Sequence, residues 1–147
     1  MGMYTELNLA VQFKQDSPKS FISSISYMAQ DSEGVERMID FPTEHALFGT
    51  GHWDWMLRGG SYYFDAKPNL IWKFDEITNT WFLTFVANIK NYSKEWQRFL
   101  EYIEPHIGTK GYIGTYRYEE DEDPTLLYNI DGKIVWQNIS ERINRHV

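Results

Sequence analysis

One pattern is written twice in this chain, and it restricts the fold more than any other feature. From Tyr4 to Lys14, the residues Leu7, Leu9, Val11 and Phe13 alternate with Glu6, Asn8 and Gln12. Successive strand side chains point to opposite faces, so the segment predicts a half-buried β-strand. Asp16-Ser17-Pro18 follows. Asp16 or Ser17 suits an N-cap, and the fixed φ of Pro18 suits a first helical turn. Phe21, Ile22, Ile25 and Met28 then recur at helical spacing, which predicts a helix from Pro18 to about Ala29. The order returns later. Leu83, Phe85, Ala87 and Ile89 alternate, Asn91-Tyr92-Ser93 offers a cap, and Trp96, Phe99, Leu100 and Ile103 form a stripe closed by Pro105 and Gly108.

Two strand–helix units joined by further strands are what a split β-α-β plait requires. The expectation is one α+β domain over residues 1–147, a ferredoxin-like plait. Its antiparallel sheet has about six or seven strands, with two main helices on one face. The units span 4–29 and 81–107, with hairpins at 61–75 and 112–138 and a short tail at 139–147. Within the hairpins, Ser61–Phe64 and Leu70–Phe74 read as short strands around an Asp65–Asn69 turn. Asp131-Gly132 is a strong hairpin signal between Thr125–Ile130 and Lys133–Asn138. Gln30–Gly34 reads as a polar turn, Met38–Pro42 as a short strand, His45–Leu57 as an irregular loop or short helix, and Ser140–Val147 as a short helix. Alternation places Phe82, Trp72, Tyr116 and Tyr118 on faces away from the core. Rings in that number are costly to leave wet, so either a homodimer or coverage by the 38–60 segment is expected.

Charge narrows the partners. The net charge is −7, and five negative charges lie in the run Glu119-Glu120-Asp121-Glu122-Asp123, leaving the remainder nearly balanced. A basic footprint for a nucleic-acid backbone is absent. No apolar stretch approaches the roughly 18–20 residues of a membrane helix. The first residues lack the basic and apolar regions of a secretory signal. These features predict a cytoplasmic protein without membrane attachment. There is no cysteine, which excludes disulfides, thiolate metal sites and cysteine nucleophiles.

Chemistry-bearing residues are few. The acidic run reads as a solvated hairpin tip blunted by Pro124, or as a contact for a basic partner. It lacks the glycine and spaced glutamate of a calcium loop. The block Gly51-His52-Trp53-Asp54-Trp55-Met56-Leu57-Arg58-Gly59-Gly60 is the most unusual stretch. Trp53 and Trp55, with Tyr62 and Trp72, are candidate stacking platforms for a planar ligand, and Arg58 is a candidate partner for its anionic group. The competing reading is a tryptophan plug over the end of the sheet. His45 and His52 match no compact zinc spacing. His106 ends the second helix, where a cation suits the dipole. Gly108, Gly111 and Gly114 recur, but after a helix and before a strand, the reverse of a dinucleotide loop. No catalytic residue, metal or cofactor is assigned.

The segments MYTELNLAVQFK (3–14), WDWMLRGGSYYFD (53–65), NIKNY (88–92) and GYIGTYRYEEDEDPTLLY (111–128) resemble a set of small bacterial and phage or prophage proteins. The resemblance covers most of the chain and brings no activity with it. It implies a stand-alone protein of bacteria or their viruses. A non-catalytic binding domain is the leading expectation. Its partner is a host protein met by the acidic tip, or a small nucleotide-like ligand held by the aromatic block. The alternative is a small enzyme using His52, Asp54 and Arg58, with the histidine as general base.

Overall fold

The computed structural model describes residues 3–29 and 44–138. The alternating segment near the start is β1 (Tyr4–Gln12). Leu7, Leu9 and Val11 are buried, whereas Asn8 and Ala10 between them are exposed. Then come α1 (Lys19–Ala29), β2 (Asn69–Asp75), β3 (Thr80–Lys90), α2 (Glu95–Ile103), β4 (Gly111–Tyr118), β5 (Thr125–Ile130) and β6 (Lys133–Asn138). The six strands form one sheet in the order β2-β3-β1-β4-β5-β6, every neighbouring pair antiparallel. Among the described residues the fold is therefore α+β, a six-stranded antiparallel sheet with two α-helices. The segments expected at 30–34, 38–42 and 140–147 lie outside the described residues. Among the described residues, no helix is long and apolar enough to cross a membrane.

Register shows which face the helices cover. Val11 pairs with Leu83 and Leu7 with Tyr116, so these residues share one face. Trp72 pairs with Leu83, and its indole donates to Ser26 of α1 at 2.9 Å. Gln97 of α2 donates to the Tyr116 hydroxyl at 2.8 Å. Both helices thus lie on the face of Leu7, and the core forms between: Phe13, Phe21, Ile25, Met28, Phe85, Trp96 and Phe99 are all buried. The Trp96 indole also donates to the Thr5 carbonyl at 2.8 Å, tying α2 to β1.

The local signals act as their chemistry requires. Asn91 accepts the Trp96 amide at 2.9 Å and Glu95 accepts the Ser93 amide at 2.9 Å, so the start of α2 is capped from both sides. Ser17 differs from expectation. Its hydroxyl donates to the Lys14 carbonyl at 2.7 Å, and the Pro18 carbonyl opens the helix by accepting the Ile22 amide. Asp131 and Gly132 have φ of 51° and 81°, the left-handed pair that a two-residue hairpin needs.

Two expectations are corrected. Trp72, Tyr116 and Tyr118 lie on the helix face, because they pair with Leu83, Leu7 and Thr5. Of the four rings, only Phe82, opposite Gln12 and Lys73, faces the open side. Ser61–Phe64 is not a strand. The Gly59 carbonyl accepts the Asn88 amide at 2.9 Å and the Ser61 hydroxyl donates to Asn88 at 2.5 Å, so this segment crosses the sheet edge beyond the end of β2. Tyr63 then lies 5.3 Å from Tyr4 between ring centroids, and Phe64 is buried beneath the Arg117 guanidinium. Coverage of the open face at that end comes from 61–64.

This coverage half-buries Glu6, whose partners in register are Asn88 and Arg117. Among the described residues its Oε2 has no hydrogen-bond partner. Desolvation raises its pKa, with Arg117 opposing. An acid whose pKa is raised by folding loses stability as pH climbs from its unfolded value through the shifted one. Glu6→Gln should therefore raise Tm near pH 7, and the gain should shrink near pH 4. A lower Tm at neutral pH would show that the Arg117 attraction outweighs the desolvation. Gly114 tests the sheet itself. A Cβ there would overlap the Asn8 carbonyl oxygen, so Gly114→Ala should lower the urea midpoint by about 1–3 kcal/mol of stability, as overpacking does.

Candidate functional site

The 52–58 block divides between core and surface. Met56 and Leu57, in a 3-10 turn over Met56–Arg58, are fully buried. Trp53 packs against the core, with its ring 4.9 Å from Phe48 and 5.6 Å from Tyr27. Trp55 is 40% exposed and its ring lies 5.0 Å from that of His52. His52, Asp54 and Arg58 are exposed, and among the described residues no hydrogen bond or ion pair joins their side chains. The block is thus half plug and half surface. Tyr62 is 86% exposed and stacks on Tyr63, whereas the Trp72 indole is bonded to Ser26 of α1. The structure does not gather the seven candidates at one point.

The acidic run forms the turn between β4 and β5. Glu119 is used structurally, accepting the Tyr4 amide at 3.1 Å. Glu120, Asp121, Glu122 and Asp123 line a shallow groove with Thr125 and Asn138. Among the described residues, no three His, Asp or Glu side chains converge to hold a metal ion.

Two further concavities lie at the other end of the sheet, where β1 runs out, and Lys14 lines both. One, of about 320 Å³, lies between the start of α1 and the β2–β3 hairpin. Lys14, Lys19, Ser17, Ser23, Phe74 and Trp81 contribute to its wall. Its rings are held in place by one another. Trp81 stacks on Trp72 with centroids 4.5 Å apart and planes at 14°, and Phe74 meets Trp81 edge-on at 5.4 Å. The loop beyond is closed by Gln15, which donates to the Thr78 carbonyl at 2.8 Å. The second cleft, of about 600 Å³, opens between the β1 end, the 107–111 loop and the β5–β6 turn.

Lys14 is fixed through its backbone, its amide donating to the His106 carbonyl at 2.8 Å. The His106 ring packs 4.1 Å from Phe21. Burial first, then the Lys14 charge, hold its pKa below the ordinary histidine range, with Asp16 opposing. The neutral imidazole is therefore favoured, in place of the helix-end cation expected from the sequence.

Sequence reasoning did not single out Lys14, Lys19, Phe74, Trp81, Lys110 or Asn129. One signal was present: Lys14 stands where the alternation of β1 stops and the helix cap begins. No protein-family model, curated protein or solved structure matches this chain. The difference between plug and surface gives a direct check. Trp53→Ala should cost about 3 kcal/mol in a urea melt, as removal of a packed tryptophan does. Arg58→Ala should stay within about 0.5 kcal/mol. Equal costs would contradict this division.

Proposed function

We propose that the chain is a non-catalytic binding domain for a ligand combining a planar ring with an anionic group, a nucleotide-like molecule. The observation that carries this reading is a single cleft walled by Trp81 and Phe74 on one side and by Lys14 and Lys19 on the other. Aromatic faces stack planar groups at little entropic cost when the rings are already held. Two ammonium groups beside them supply the anion's counter-charge. The ligand seat is thus moved from the 53–58 block to the hairpin side of Lys14.

The scaffold supports the same reading. The units β1-α1-β2 and β3-α2-β4, with the strand order β2-β3-β1-β4, are read as a ferredoxin-like plait extended at one edge by β5 and β6. Its setting is read as the cytoplasm of a bacterium or a phage-infected host, on the resemblance of 3–14 and 111–128 to proteins of that kind.

Tryptophan fluorescence under titration with adenosine and guanosine monophosphates tests the proposal. Saturable quenching is expected. Trp81→Phe should abolish most of it, and the exposed change Lys19→Ala should weaken binding about tenfold. A flat response to both nucleotides, or quenching that survives in Trp81→Phe, overturns the reading.

A further inference from the structure

The sheet face turned away from the helices has no cover over most of its width. Register assigns its residues. Ile71, Thr84 and Ala10 stand in one row across β2, β3 and β1, and Asn8, Thr115 and Leu126 in another across β1, β4 and β5. Phe82 and Val86 share this face on β3, as Tyr128 and Val135 do on β5 and β6. Beyond the 61–64 segment the face is bare among the described residues. Ala10 is exposed although β1 is a central strand, Ile71 is 50% exposed and Val135 40%. A continuous bare patch with this apolar content marks an interface.

The area fits a partner with a sheet of the same size. Six strands about 4.8 Å apart and about 25 Å in mean length present about 700 Å². A stable protein–protein contact takes about 800 Å² from each partner. A single peptide strand or a small ligand would leave most of this face wet. Charge stays out of the middle: Glu6, Lys73, Arg117 and Lys133 stand on the outer strands or toward strand ends.

The two ends of the sheet point to a second copy. Glu120, Asp121, Glu122 and Asp123 join β4 to β5 at one end, while Lys110 precedes β4 and Lys133 opens β6 at the other. Asp75 and Glu76 follow the end of β2, and Lys67 precedes its start. Consider two copies face to face, related by a two-fold axis lying across the strands. Each strand then lies near its own counterpart, with the ends reversed. The acidic β4–β5 turn of one copy comes over Lys110 and Lys133 of the second copy, and Asp75 and Glu76 come over its Lys67. An axis along the strands would instead bring both acidic turns to the same end, which like charge disfavours.

We infer that the chain forms a two-fold dimer with a second copy of itself, the open sheet faces packed together and their strands running in opposite directions. Such a contact is isologous, with sheets about 10 Å apart. The cleft of Trp81 and Phe74 opens on the helix side, so the inference stands without the nucleotide-like reading.

Sedimentation equilibrium on the full chain at about 1–100 μM tests this. A reversible monomer–dimer equilibrium is expected. Ala10→Glu sets like charges against each other in the middle of the interface and should weaken the dimer about tenfold or more. Its near-ultraviolet circular dichroism should stay that of the parent, because the position is exposed. A chain with Lys110→Glu and Lys133→Glu, and another with Glu120→Lys and Glu122→Lys, should each weaken its own dimer about tenfold. Mixing the two should restore association, because both ends of the mixed dimer are attractive again. A monomer throughout overturns the inference, whatever else covers the face. A dimer indifferent to Ala10→Glu places the contact at a sheet edge or on the helix side and overturns it too, as does a mixture that associates no better than its parts.

Discussion

The structure depends on β1 being paired on both edges and buried on one face. Its nine residues meet β3 along their whole length and β4 over Thr5–Leu9. A strand with two neighbours has no free ladder to satisfy in solvent, so its backbone is insulated once the helices cover Leu7, Leu9 and Val11. The helices depend on it in turn. Trp96 reaches the Thr5 carbonyl from α2, and Phe13, just past the strand, packs edge-on against Phe21 of α1. The remaining strands extend outward from this centre, two on one side and three counting β4 on the other.

Much of this was legible because β1 and β3 obey a rule that needs no partner: alternation followed by a cap and a helical stripe. Leu7 to Phe13 and Leu83 to Ile89 declare their buried face by themselves. Trp72 and Tyr116 do not. Both are amphipathic, and only the register opposite Leu83 and Leu7 decides which face they take. Ser61–Phe64 misleads for a related reason. Its aromatic content resembles a strand, yet its polar groups are answered by Asn88 and by turn contacts, and a strand is defined by its ladder, not its composition.

The candidate site was harder to read. A cleft is made by chain ends that converge in space, and nothing in the spacing of Lys14, Phe74, Trp81, Lys110 and Asn129 announces convergence. Antiparallel pairing brings them together. The end of β1, the β2–β3 turn, the start of β4 and the β5–β6 turn all fall at one end of the sheet. The 52–58 block drew attention by density of unusual residues, but density in sequence also serves a plug, as Met56, Leu57 and Trp53 show.

The same pairing explains how an acidic chain gathers lysines at one end of the sheet. Glu119 binds the amide of Tyr4 at the start of β1, so the acidic turn is fixed at the end opposite Lys14. A nine-residue strand spans about 30 Å, several times the roughly 8 Å over which exposed charges act at physiological salt. The five acidic residues therefore set the net charge without cancelling the field at Lys14, Lys19 and Lys110. Net charge describes the whole surface, whereas an anion a few ångströms from Lys14 responds to the groups within a screening length of it.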